Sequence, residues 1–184
     1  MLHIVYGGSA SGKSSYAESF AMSLQGEGRL LYIATMYPYK WNTTEIDPET
    51  MQRIERHRAM RADKGFDTVE CYRHVEHIVA KRQDVLLLEC MSNLLANEMY
   101  LEPDSNAGSD MAETMSPVSN KIVQALIDLS TRVQELVIVT NDVFSDGGSL
   151  TYDESTREYV KNLAEINCAL ARVAETVTEV VCGI

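Results

Sequence analysis

Residues 6–15 read YGGSASGKSS, and no other stretch limits the possible folds of this chain so strongly. Gly7, Gly12, Lys13 and Ser14 meet the pattern Gly-x-x-x-x-Gly-Lys-Ser/Thr. Ahead of it, residues 2–6 are short, apolar and β-branched, as a buried strand is; behind it, residues 14–24 are good helix formers with few breakers. Strand, glycine-rich turn and helix is the setting in which this pattern holds phosphate. Glycines let the backbone turn tightly, so that successive N–H groups face an anion. The helix start adds free N–H groups and the positive end of its dipole. Lys13 is placed to reach the outer phosphates of a nucleotide, and the Ser14 hydroxyl suits a Mg²⁺ site. A glycine turn with an incidental lysine is the plainer alternative.

The rest of the chain supplies the frame for such a loop. Residues 30–35 (LLYIAT), 85–89 (VLLLE) and 136–140 (LVIVT) are further apolar runs, and 176–182 (TVTEVVC) predicts a less apolar strand near a sheet edge. Helical patterns cover 48–62, 72–81, 119–133 and 153–175. Near-continuous apolar strands alternating with helices predict an α/β fold, a mostly parallel sheet with helices on both faces. Ligands of such sheets lie beyond the carboxyl ends of the strands, which puts the loop, Thr35, Glu89 and Asn141 at one edge. A length of 184 residues suits one domain spanning the chain. The segment 102–117 (EPDSNAGSDMAETMSP) is acidic and aperiodic and predicts a mobile loop inside that domain.

Charge narrows the partners. A formal net charge of −11 argues against nucleic acid or an anionic membrane. No apolar run is long enough to span a bilayer, and the first residues lack a signal-peptide pattern. Cys71, Cys90, Cys168 and Cys182 are scattered without a CxxC pair, which suits reduced thiols in a cytoplasmic protein.

An anionic ligand of so acidic a chain needs a local basic cluster, and 53–61 (RIERHRAMR) holds four of the ten arginines. Asp47-Pro48 reads as the cap and first turn of a helix. On it Arg53, His57 and Arg61 fall on one stripe at i, i+4 and i+8. Arginine neighbours disfavour the imidazolium, keeping His57 neutral and nucleophilic near pH 7. The same arginines suit a triphosphate, so covalent catalysis through His57 is open beside the plainer reading of a solvated basic face. Glu89, at the tip of the most apolar run, suits Mg²⁺ or a proton from a hydroxyl, or is simply the first solvated residue after a strand. His3 reads as a packed strand residue, and His74 and His77 lack a third metal ligand nearby. Asn141-Asp142 lacks the Asn-Lys-x-Asp spacing of guanine readers.

Together these pieces resemble the bifunctional adenosylcobinamide kinase/adenosylcobinamide-phosphate guanylyltransferase family. The matching stretches are GGSASGKSSYAE (7–18), LYIAT (31–35), RIERHRAMR (53–61), TVEC (68–71), VLLLEC (85–90), VTND (139–142) and VVCGI (180–184). The chain departs from the family with Ala62, Phe66, Phe144 and Ala164, and at 145–152. The resemblance implies a RecA-like P-loop fold, a homotrimer, and two reactions using GTP, ATP and Mg²⁺. A nucleoside triphosphate phosphorylates the corrinoid adenosylcobinamide; GTP then guanylylates a histidine, and GMP passes to the cobinamide phosphate. By position that histidine is His57. The implied nucleotide contacts are Gly7, Gly8, Ser9, Ala10, Ser11, Gly12, Lys13 and Ser14 in the loop, and Ala34, Thr35 and Met36 after the second strand. They continue with Arg58, Ala59, Met60 and Arg61, and with Glu70 and Glu89; Ser14 and Glu89 are the implied metal ligands. A P-loop kinase of another small hydroxyl compound, or a regulatory nucleotide-binding module without turnover, stays open beside this reading.

Overall fold

The computed structural model describes residues 1–41, 43–101, 115–143 and 152–183. Strands β1 (Leu2–Gly7), β2 (Leu30–Ala34), β3 (Phe66–Glu70), β4 (Val85–Glu89), β5 (Glu135–Asn141) and β6 (Thr176–Glu179) form one sheet in the order β3-β2-β4-β5-β1-β6. Every pairing is parallel. The helices are α1 (Lys13–Leu24), α2 (Pro48–Arg61), α3 (Met91–Tyr100), α4 (Pro117–Arg132) and α5 (Glu154–Ala171). This is an α/β fold consistent with a P-loop NTPase, as the sequence led us to expect.

Strand alternation sorts the core into two layers. Leu31, Ile33, Leu86, Leu88, Leu136 and Ile138 pack against Leu94 of α3, Leu126 of α4 and Leu163 of α5. Tyr32, Leu87, Val137 and Val139 point the other way, onto Ala17 and Ala21 of α1. Central β4 is covered on both faces, which is why its sequence reads as an unbroken apolar run. β6 lies at an edge beside β1, and β3 at the opposite edge. At the amino end of the sheet, His3 bridges β1 to both neighbours: Nε2 lies 2.9 Å from Glu135 Oε2 and Nδ1 2.8 Å from Thr176 Oγ1.

Three segments differ from the sequence reading. The expected helix over 72–81 is a single 3₁₀ turn, Val75–His77. His74 enters it with a left-handed φ of 57°, and its N–H donates to Glu98 of α3 at 2.7 Å, so a tertiary bond replaces the helical one. The strand β3 and the helix α3 emerge where no element was expected. The expected loop at 102–117 lies outside the described residues as far as 114. Its last residues open α4, where Ser116 Oγ accepts from the Ser119 N–H at 3.2 Å and Pro117 takes the first turn. No helix among the described residues is long and apolar enough to cross a membrane.

Leu126 is fully buried between the sheet and its helical layer. Leu126→Ala should therefore cost about 2–5 kcal/mol in urea unfolding, the usual range for emptying a packed leucine site.

Candidate active site

The carboxyl ends of the strands open on a cavity of about 500 Å³. Its floor is the loop between β1 and α1. A side chain at Gly7 would bring its Cβ within 2.6 Å of the Val180 carbonyl oxygen, so the backbone approach there admits only glycine. Gly12 enters α1 with a φ of 90°, the left-handed region open to glycine. Lys13 is buried against the loop, its Nζ donating to the Gly8 carbonyl at 2.9 Å. Ser14 Oγ donates to Glu89 Oε1 at 2.7 Å, while Glu89 Oε2 is buried without a partner among the described residues. Burial pushes the Glu89 carboxyl up to about 7, against the pull of the Ser14 hydrogen bond, Lys13 and Arg61 and with the push of Glu18.

Helix α2 forms the roof. Arg53, His57 and Arg61 all face the cavity, as the expected stripe requires, and Arg56 and Arg58 join them. Arg61 is 5% exposed and lays its guanidinium over the Tyr32 ring, 3.4 Å from the centroid. Its Nε and Nη1 have no hydrogen-bond partner among the described residues. Just past the helix, Lys64 Nζ donates to the buried Glu18 Oε2 at 2.5 Å, joining the end of α2 to α1. Arg58 pairs with Glu70, whose other oxygen accepts from the Tyr72 hydroxyl at 2.9 Å. His57 is half-buried; burial first, then Arg61 and Arg56, hold its pKa below the ordinary 6.5, against the opposing pull of Glu18. The remaining wall is Ser92 and Asn93 at the start of α3 with Asn141 at the end of β5 and Asp142 just after it. There Asn141 Nδ2 donates to Ser92 Oγ at 2.5 Å.

Of the residues proposed from sequence, Ser9, Ala10, Lys13, Ser14, Ala34, Met36, His57, Arg58, Arg61, Glu70 and Glu89 line this one cavity. Gly7, Gly8, Ser11 and Gly12 shape the loop without lining it. Thr35 is fully buried instead: its hydroxyl donates to the Glu89 carbonyl at 2.9 Å and accepts from the Cys90 N–H at 2.8 Å. Ala59 and Met60 are exposed and do not line it. Sequence reasoning missed Tyr32, Glu18 with Lys64, Tyr72, Ser92 and Asn93. For Tyr32 a signal existed, since alternation in β2 sets it opposite Leu31 and Ile33, on the face of α1. The others are brought in by tertiary packing and carry no local mark.

A family model described as cobinamide kinase / cobinamide phosphate guanyltransferase matches residues 3–184. The bifunctional adenosylcobalamin biosynthesis protein CobU of Escherichia coli is 30% identical over 193 aligned positions, covering 100% of this chain and 97% of that protein. The protein of the same name from Salmonella typhimurium is 30% identical over 192 positions, with the same coverage of 100% and 97%. The match runs through the phosphate loop, the arginine-rich helix and all six strands alike. The chain belongs to the cobinamide kinase / cobinamide phosphate guanyltransferase family, transferases of cobalamin biosynthesis.

Proposed function

We propose that this cavity, within a single domain, serves two consecutive transfers. In the first, ATP or GTP phosphorylates the aminopropanol hydroxyl of adenosylcobinamide. In the second, GTP guanylylates His57, and GMP passes on to adenosylcobinamide phosphate, giving adenosylcobinamide-GDP. The observation that carries the reading is that His57 faces the same cavity as the phosphate loop, among arginines.

The loop amides and Lys13 hold the triphosphate, and the arginines of α2 fix its orientation from above. The unpartnered Nε and Nη1 of Arg61 are ready donors for a phosphate oxygen. A neutral His57 ring nitrogen attacks the α-phosphorus. A P–N bond forms while the P–O bond to the leaving diphosphate breaks, and the ring gives up its proton. A phosphate oxygen of the corrinoid then attacks the same phosphorus, the P–N bond breaks, and the ring recovers a proton. Ser14 and Glu89 would hold Mg²⁺: an alcohol and a carboxylate side by side, with one buried carboxylate oxygen still unpartnered, are the hard oxygen donors that ion selects. When bound, the ion would offset charge on the phosphates. A homotrimer is the assembly we propose, and the four unpaired cysteines agree with a cytoplasmic protein.

Protein incubated with GTP and Mg²⁺ should gain the mass of one GMP on the peptide containing His57. That adduct should be lost in mild acid, persist in alkali, and be absent from His57→Asn. An adduct on another residue rules out the assignment, and a simple P-loop kinase forms none. Because the His57 pKa lies below 6.5, its neutral form persists as pH falls; with Mg²⁺ saturating, so that Glu89, pushed up to about 7 in its absence, stays ionised, adduct formation should hold its rate from pH 8 to about 6.5. A decline in rate beginning well above that point contradicts the environment described. Tyr32→Leu should weaken GTP binding by about tenfold and Tyr32→Phe should not, since a cation–π contact of about 1–2 kcal/mol holds Arg61 in place. Calorimetric titration with GTP measures both.

A further inference from the structure

Glu70 and Tyr72 each line two cavities, the phosphate cavity and an open groove of about 1210 Å³ beyond it. The groove exceeds the roughly 300–1,000 Å³ of ordinary small-molecule sites. Tyr37 and Tyr72 meet edge to face in its wall, with ring centroids 5.4 Å apart, and Val69, Ile78 and Leu101 extend the apolar lining. At its rim Val79 is 86% exposed, a large apolar side chain facing water beside a functional site. Thr43, Thr44 and His77 add hydrogen-bonding groups between the apolar ones. A broad apolar surface edged by such groups suits a large, flat, amide-bearing ring better than it suits an anion.

Both proposed transfers act on the tip of one arm of a macrocycle. The ring cannot share about 500 Å³ with a nucleoside triphosphate, so it must lie outside while its arm reaches in. A second neighbour of the phosphate cavity, sharing Met36 and Arg53 with it, measures about 520 Å³ and is lined by Lys40 and Asp47 among others. It is less than half the size of the groove, too small for the face of a corrin ring. We infer that the groove bounded by Tyr37, Tyr72, Ile78, Val79 and Leu101 is the corrinoid site, and that the aminopropanol arm crosses the Glu70–Tyr72 wall to reach the phosphates. The wall is held from both sides, Glu70 being bonded to Arg58 of α2 and to the Tyr72 hydroxyl. The inference rests on the two-transfer reading and adds to it the place of the acceptor.

The test uses the intact protein and adenosylcobinamide, whose binding is read by equilibrium dialysis and visible absorption. Val79→Glu and Thr44→Trp alter exposed positions, so neither disturbs the core. Each should weaken corrinoid binding by about tenfold or more, one by setting an unpaired carboxylate against the ring and the other by filling the groove. Saturating corrinoid should also slow maleimide alkylation of Val79→Cys severalfold, leaving Val173→Cys, on a separate surface, unchanged. Wild-type binding with undiminished affinity in both groove variants, and no protection of Val79→Cys, overturns the inference while the two-transfer reading stands. Wild-type protein that binds no adenosylcobinamide removes both.

Discussion

Helix α2 carries the proposed nucleophile, yet apolar packing does not hold it. Of its fourteen residues only Arg61 is buried. Three contacts fix it: Arg61 on Tyr32, Lys64 on Glu18, and Arg58 on Glu70. The last is half-exposed on both sides, and pairs of that kind contribute roughly 0–1 kcal/mol. The first two reach into the protein, where a guanidinium and a carboxylate without partners are costly. Arg61 answers that cost only in part, because stacking leaves two of its nitrogens without acceptors. The proposed triphosphate over the phosphate loop would complete it. On that reading, docking of the helix and binding of the nucleotide are favoured by the same contacts, and each strengthens the other.

The sheet gives those contacts something rigid to act against. β4 is buried on both faces as far as Leu88, and one residue later Glu89 lines the cavity. The backbone around Glu89 is held by Thr35, whose hydroxyl donates to the Glu89 carbonyl and accepts from the Cys90 N–H. From α3, Asn97 Nδ2 donates to the Thr35 carbonyl at 2.8 Å and to the Tyr72 carbonyl at 2.9 Å. One buried amide thus links the end of β2 to the wall between the phosphate cavity and the groove. A polar residue conspicuous at the strand edge can support a cavity through the backbone from outside its lining, and Thr35 does so.

What was legible in the sequence was whatever a local rule enforces. The phosphate loop follows from glycine conformations and strand-helix context, and buried strands such as β4 from runs that only a doubly covered sheet can bury. The stripe of α2 follows from helical spacing. What was not legible depended on neighbours distant in sequence. β3 (FDTVE) has no apolar run, because an edge strand needs none. Residues 72–81 imitate a helix with Val75 and Ile78 on one face, and both are buried, but Glu98 and the left-handed His74 decide otherwise. Glu18 and Lys64 sit 46 positions apart, and nothing local to either announces the pair.

The acidic bulk of the chain and its basic helix belong to one electrostatic arrangement. With a net charge of −11, most of the surface repels a triphosphate, so the attraction is concentrated where four arginines and Lys13 converge. The same concentration of positive charge keeps a proton off His57, adding to the effect of its partial burial. On the proposed reading, binding the substrate and readying the nucleophile therefore draw on one set of side chains. Removing Arg53, Arg56 or Arg61 should be felt twice, once in how the phosphates of the proposed substrate are held and once in the protonation of the proposed nucleophile. Glu18 works against both while it holds Lys64, since its charge draws a proton toward His57 and toward Glu89. The ion pair with Lys64 limits that opposing field, which makes the clasp at the end of α2 an electrostatic part of the site as well as a mechanical one.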